Sequence, residues 1–287
     1  MKNISTIGLD IAKWVFQVHG VDDAGKVVVQ KQLARPEMLD WFSKLSPCLI
    51  GLEACATANY WARELSRLGH DVRLIPPAYV KAYVRRQKND RADAAAICEA
   101  VSRPSMRFAT LKTMPQQMVQ VLHRTRELLI KQRVQLGNAL RAHLAEFGAI
   151  FPQGAAGLDK AIAFIKENSG DLPEELMGIL RVYVEQITRI RETIKSLERD
   201  MLLWHRSQGD SLRLATIPGI GTVTASAIVA AIGDGKQFQS GREFAAWRGL
   251  VPRQNSSGGN QLPPLPKLLP NSLGCVGKKN DKGTAIC

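Results

Sequence analysis

ISTIGLDIAK, residues 4–13, is an apolar run that closes on a carboxylate, and the reading of the fold begins there. Ile4–Leu9 has the length and apolar weight of a strand, with Asp10 at its end. Outward from it, Trp14–His19 and Lys26–Gln32 read as two further strands, and the turn Asp22-Asp23-Ala24-Gly25 joins them as a hairpin. A helix is expected from about Pro36, a strand at Cys48–Leu52 and a helix from about Ala56. A strand at Val72–Ile75 follows, and then a helix over Asp90–Val101.

Three antiparallel strands, then strand, helix, strand and helix, is the order of an α/β ribonuclease-H-like domain, here residues 1–105. Its acids fall in telling places. Asp10 and Glu53 close apolar runs, where a carboxylate has little reason to be unless a cation meets it. Asp90 and Asp93 are three apart, so on a helix they share a face. Carboxylates are hard oxygen ligands suited to Mg²⁺ or Mn²⁺, and four of them could seat two ions about 4 Å apart for in-line displacement at a phosphodiester. Any one acid taken alone reads as a helix cap or a surface group; the set reads as a metal site. Beside it, Arg85, Arg86, Lys88 and Arg91 in the run from Lys81 would contact phosphates, or else form a solvated basic face.

The chain has 287 residues, 45% of them hydrophobic, enough for a real core and for about one to three domains. A formal charge of +13 implies a polyanionic partner, which points to nucleic acid. No apolar run reaches the roughly 20 residues of a membrane span, and the N-terminus enters a strand without the apolar core of a signal peptide. The expected location is the cytoplasm, with no membrane association. Cys48, Cys55, Cys98, Cys275 and Cys287 are odd in number and scattered, as reduced thiols would be, and the five histidines are equally dispersed.

Residues 106–208 form a long-helix region. Leu122, Leu129, Leu136, Leu140 and Leu144 recur at helical intervals up to Phe147. A Pro/Gly-rich break at Phe151–Gly157 precedes a second long helix from near Pro173. Leu176, Leu180, Tyr183, Ile187, Ile190, Ile194, Leu197, Met201 and Trp204 alternate fours and threes along it, a heptad seam that predicts a coiled coil within the chain or between chains. In residues 209–260, Pro218-Gly219-Ile220-Gly221 lies between two helical stretches in the form of a helix–hairpin–helix. Gly219 and Gly221 would let the turn approach a phosphate closely; such turns also serve as plain connectors. GLVPRQNSSGG, residues 249–259, sets Ser256 and Ser257 near Arg253. By chemistry alone it reads as a turn, since no histidine lies nearby to act as base. Residues 261–287 carry four prolines early and no sustained period, which predicts loop or disorder.

Taken together, GLDIAK with Asp10, GLEAC with Glu53, the KNDRADAAAI acids, the IPGIG turn and the GREFAAW, GLVPRQ and SSGG stretches resemble the insertion-sequence transposases of the one-hundred-and-ten family, over about residues 1–260. That resemblance implies a RuvC-like domain with a DEDD acid set (Asp10, Glu53, Asp90, Asp93) binding Mg²⁺. It also implies a C-terminal serine nucleophile, Ser257 with Ser256 in reserve, that links covalently to DNA. The implied partners are DNA, a structured noncoding guide RNA and further copies of the chain, as a dimer or a tetramer assembled through long helices. After Asn260 the sequence departs from the family pattern as if the reading frame had shifted, so a truncated copy with an incomplete, compromised serine region is expected, its activity left open. Other readings are a RuvC-like endonuclease or resolvase using the acids alone, and a non-catalytic nucleic-acid-binding remnant. A sugar-kinase-like ATPase is disfavoured, because no glycine-rich phosphate loop follows Asp10.

Overall fold

Five strands, β1 (Thr6–Ile11), β2 (Val15–Val21), β3 (Val27–Ala34), β4 (Leu49–Glu53) and β5 (Asp71–Ile75), form one mixed sheet in the order β3-β2-β1-β4-β5. The computed structural model describes residues 3–83, 90–167, 172–233, 235–247, 249, 256–257 and 260–261. The chain divides into two compact units, residues 1–237 and 238–287.

β1, β2 and β3 are an antiparallel meander, whereas β4 and β5 run parallel to β1. The β2–β3 turn is fixed where the sequence places it. Asp22 Oδ1 accepts from the backbone N–H of Ala24 at 3.0 Å and of Lys26 at 2.9 Å, and Gly25 takes the left-handed φ of 77°. Alternation then decides the layers. Ile7, Leu9, Phe16, Ile50 and Leu52 are fully buried in one core with α1 (Met38–Ser43) and α2 (Ala58–Arg67), which bring in Phe42, Trp61 and Leu65. The opposite face of β1 and β4 carries Gly8 and Gly51. Beyond β5 come a short α3 (Pro77–Val80) and then α4 (Asp90–Val101), which lies on that glycine face.

Residues after α4 cross the sheet edge, where Ala109 N–H donates to Leu74 O at 2.7 Å, and lead into the helical part of the first unit. α5 (Met114–Glu146) starts at a capping box: Thr113 Oγ1 accepts from Gln116 N–H, and the Gln116 side chain accepts from Thr113 N–H. It spans 33 residues, about 50 Å. α6 (Gly154–Glu167) and α7 (Glu174–Ser207) pack on it. α6 corrects the sequence expectation of a simple break at Phe151–Gly157. The Pro/Gly cluster leads directly into a helix, and a Cβ at Gly157 would lie 1.8 Å from Pro152 O, so glycine permits that tight entry. Along α7, Leu180, Ile187, Ile194 and Met201 are buried at intervals of seven, while Leu176, Tyr183, Ile190, Leu197 and Trp204 are half-buried. α8 (Gly209–Ala215) and α9 (Thr222–Ile232) follow, joined by a tight turn with Gly219 at φ 86°. α9 docks on α5 through Gln120 Nε2–H donating to Ala230 O at 2.8 Å and a His123–Ser226 hydrogen bond of 3.1 Å.

In the second unit, α10 (Gly241–Trp247) is preceded by Phe238, whose ring meets Phe244 edge-on at 5.4 Å. Two-residue strands β6 (Ser256–Ser257) and β7 (Asn260–Gln261) pair antiparallel.

Candidate functional site

Asp10 is the fifth residue of β1 and Glu53 the last of β4. The parallel register pairs Thr6 with Leu49 through to Leu9 with Leu52, so its next step sets Asp10 beside Glu53 at the carboxyl ends of adjacent strands. Both acids alternate onto the face of Gly8 and Gly51, the side that α4 covers. The backbone under each is held from its other side. Asp10 pairs with Gln17 across β2, Glu53 pairs with Ile75 on β5, and Ala54 N–H continues that pairing with a 2.8 Å bond to Ile75 O.

The glycines determine how close α4 comes. A Cβ at Gly8 would lie 2.1 Å from Ala94 O and 2.4 Å from Cys98 N, and one at Gly51 would lie 2.8 Å from Val101 Cβ. Cys98 Sγ–H in turn donates to Thr6 O at 3.8 Å. One helical turn of four residues rises about 6 Å, and two strand residues rise about 6.6 Å. Cys98 over Thr6 and Ala94 over Gly8 therefore carry the first turn of α4, with Asp90 and Asp93, to the level of Asp10. The first turn of α4 comes to this level because the helix descends, antiparallel to β1, onto a glycine track. The Cys98 thiol within that contact, like that of Cys48 in the other core, is pushed up to about 11 by burial, so both cysteines are structural thiols.

Asp10, Glu53 and Asp93 are partly exposed. Two carboxylates on neighbouring strands are a hard donor pair of the kind a divalent cation takes. Among the described residues there is no cluster of three or more acidic, histidine or cysteine side chains that could hold a metal ion, and the side chain of Asp90 is not among the described atoms. Of the basic candidates, Arg91 is exposed on the first turn of α4, while Arg85, Arg86, Lys88 and Arg253 lie outside the described residues. Gly219 and Gly221 both face open space, and Gly221 is the residue before α9, with extended backbone and no side-chain cap. The N–H groups that open α9 are thus approachable. Ser256 and Ser257 form β6 in the other unit; their side chains are outside the described atoms.

The rim at the carboxyl ends of β1, β4 and β5 also carries groups that the sequence reading does not single out. Trp14 is 67% exposed after β1, Tyr60 44% exposed in the first turn of α2, and Tyr79 43% exposed on α3. Their signal is positional: each is the aromatic residue that follows the end of a strand.

A mixed sheet with carboxylates at one rim, continued by long helices, is the arrangement of a nuclease-like enzyme domain, and such a domain implies a divalent metal. The sequence matches the family description "Transposase" over residues 7–149 and "Transposase IS116/IS110/IS902 family" over residues 211–264. It is 44% identical over 281 residues to the "Probable family 20 transposase" of Pseudomonas aeruginosa, covering 97% of this chain and 80% of that one. It is 40% identical to the transposase for insertion sequence element IS1328 of Yersinia enterocolitica, over 90% of this chain and 77% of the relative. For the transposase for insertion sequence element IS1111A of Coxiella burnetii, identity is 39% over 91% of this chain and 72% of the relative. The chain belongs to the IS116/IS110/IS902 family of transposases.

Proposed function

We propose that this transposase cuts and rejoins the DNA of an insertion sequence, with a RuvC-like acid set of Asp10, Glu53, Asp90 and Asp93 and a serine nucleophile at Ser257, Ser256 being the reserve. The observation that carries the acid half is the β1–β4 register, which sets Asp10 beside Glu53 as α4 brings its first turn to the same level. These residues would hold Mg²⁺ or Mn²⁺. Bound there, the cation supplies Lewis-acid charge to the phosphodiester oxygens.

The chain's own groups do the rest. The Ser257 hydroxyl oxygen forms a bond to phosphorus as the phosphorus–oxygen bond to one strand segment breaks, and the departing oxygen takes up the proton. Attack by a hydroxyl of the new strand on that phosphoserine then reseals DNA and frees the serine. Arg85, Arg86, Lys88, Arg91 and Arg253 neutralise phosphates, and Gly219 with Gly221 present the opening N–H groups of α9 to the backbone as a helix–hairpin–helix. The α7 seam is occupied within the chain, so copies would assemble through the remaining faces of the long helices, and a structured noncoding RNA supplies the target sequence in the cytoplasm. In this reading residues 1–105, 106–208 and 209–260 are the acid, long-helix and serine regions, and the sequence after Asn260 limits the last of them.

The test is a covalent-adduct assay with end DNA of the element, its noncoding transcript and Mg²⁺, resolved on a denaturing gel. A DNA–protein adduct is expected, absent in Ser257→Ala and in Asp10→Ala. Metal-dependent cleavage that survives Ser257→Ala and Ser256→Ala would replace the serine mechanism with hydrolysis at the acids. Binding with neither product would mark a non-catalytic copy.

A further inference from the structure

Among the described residues, four aromatic side chains are exposed: Trp14, Tyr60, Tyr79 and Phe147. Three of them stand on one rim of one sheet. Trp14 follows β1, Tyr60 opens the helix that follows β4, and Tyr79 lies on the helix that follows β5. Because β1, β4 and β5 are parallel neighbours, these elements all leave the sheet at the end where Asp10 and Glu53 sit. The three strands span two interstrand spacings, about 10 Å. Trp14 is four residues from Asp10, so its Cα lies within about 14 Å of it even in an extended chain.

Tryptophan is, on average, a highly buried residue, and here two-thirds of its surface faces solvent although its backbone is firmly held. Ala12 N–H donates to Val15 O at 3.2 Å, Arg35 N–H to Trp14 O at 2.9 Å, and Arg35 Nη1 to Lys13 O at 3.2 Å. The Arg35 guanidinium is itself seated over the buried Trp61 ring at 5.1 Å, and Trp61 meets Tyr60 edge-on at 5.0 Å. The two exposed rings are thus presented by a braced support. Cations are interleaved with them: Lys13 Nζ stands 5.7 Å from the Trp14 ring, and Lys81 is exposed two residues beyond Tyr79. Among the described residues no acidic side chain forms a salt bridge with Lys13, Arg35 or Lys81.

We propose that Trp14, Tyr60 and Tyr79, with Lys13, Arg35 and Lys81, form a stacking rim that receives unpaired nucleotides beside the acids. Aromatic faces interleaved with positive charge suit a strand whose bases are free to stack on protein, while the cations follow its phosphates. In an intact duplex the base faces are occupied by their neighbours, so such a rim selects a strand that has been opened. This refines the proposed function, on which it rests: the scissile strand reaches the acids single-stranded. Trp14 is the aromatic residue of the rim nearest the acids along the chain.

The test is fluorescence anisotropy with the full chain in EDTA, using labelled oligo(dT), oligo(U) and an oligo(dA)·oligo(dT) duplex. Binding is read without cleavage, so failure of the acids to cut leaves this result readable. Trp14→Ala is expected to weaken unpaired-strand binding roughly 5- to 150-fold, the equivalent of one lost base stack. Trp14→Phe is expected to restore most of the affinity, with duplex binding unchanged in both. Tyr60→Ala gives a second reading from an independent element. Loss on oligo(dT) supports the rim as a seat for the scissile DNA strand, whereas loss confined to oligo(U) overturns that assignment by giving the rim to RNA. Equal loss on the duplex, or no loss on any probe, overturns it. A changed sedimentation coefficient with unaltered affinity also overturns it, by assigning Trp14 to a contact between copies.

Discussion

The sheet with α4 and the long helices around α5 both depend on glycine to bring elements together, yet they meet different kinds of atom. At Gly8 a methyl group would strike backbone, the carbonyl of Ala94 at 2.1 Å and the amide of Cys98 at 2.4 Å. At Gly137 on α5 it would meet only the far end of Leu158, at 3.1 Å from Cδ2. Backbone in a packed helix cannot step aside, whereas a leucine tip can rotate. The contact that lays α4 on β1, beside Asp10 and Glu53, is therefore the rigid one, and the contact between long helices is the forgiving one.

This difference sets the largest expected effect. Gly8→Ala should cost about 3 kcal/mol or more, the upper end of overpacking penalties, because relief requires α4 to lift from β1. Thermal unfolding by circular dichroism should show a large drop in midpoint, and any folded fraction should have lost the acid geometry. A midpoint within a few degrees of wild type would mean that α4 does not depend on the glycine track. Gly137→Ala should stay within about 1 kcal/mol in either direction, since the helix propensity gained by replacing a mid-helix glycine offsets the crowding at Leu158. If the two substitutions cost the same, the contrast between the regions is broken.

The same contrast explains what could be read from sequence. Strand alternation and the Asp22–Gly25 turn are local, and they place all five strands within a few residues. Asp10 and Glu53 could be recognised individually because each closes an apolar run. Their adjacency could not, since it follows from a parallel register between segments that no local pattern ties together. The glycine track was equally hidden: Gly8 and Gly51 look like ordinary strand residues until α4 is laid on them. α6 was missed because Pro152, Gly154 and Gly157 are the residues of a break when read singly; only the close approach of Gly157 to Pro152 O shows that they frame a helix entry. The exposure of Trp14 was also out of reach, because an aromatic residue in an apolar stretch reads as core.

The smallest expected effect compares how the two regions respond to acid. His19 in the sheet and His123 on α5 both have pKa values below the ordinary 6.5, His19 through burial and His123 through burial first and the charge of Arg126 second. At His123 the hydrogen bonding fits the neutral ring. The Ser226 hydroxyl donates to Val223 O at 3.1 Å, which leaves its oxygen to accept from His123 Nε2–H. A second proton would have to enter at Nδ1, in a half-buried site beside a cation. Because the unfolded histidine binds that proton more readily, the contribution to stability is present above 6.5 and is lost as pH falls from 6.5 through the lowered folded value. Unfolding midpoints followed from about pH 8 to about pH 5, where histidine titrates, should fall less steeply in His123→Gln than in wild type. His19→Gln gives the matching measurement for the sheet. A larger change of slope at His123 would make the α5–α9 contact the first to yield to acid, while a slope unchanged at both positions would mean that neither histidine links folding to protons in this range.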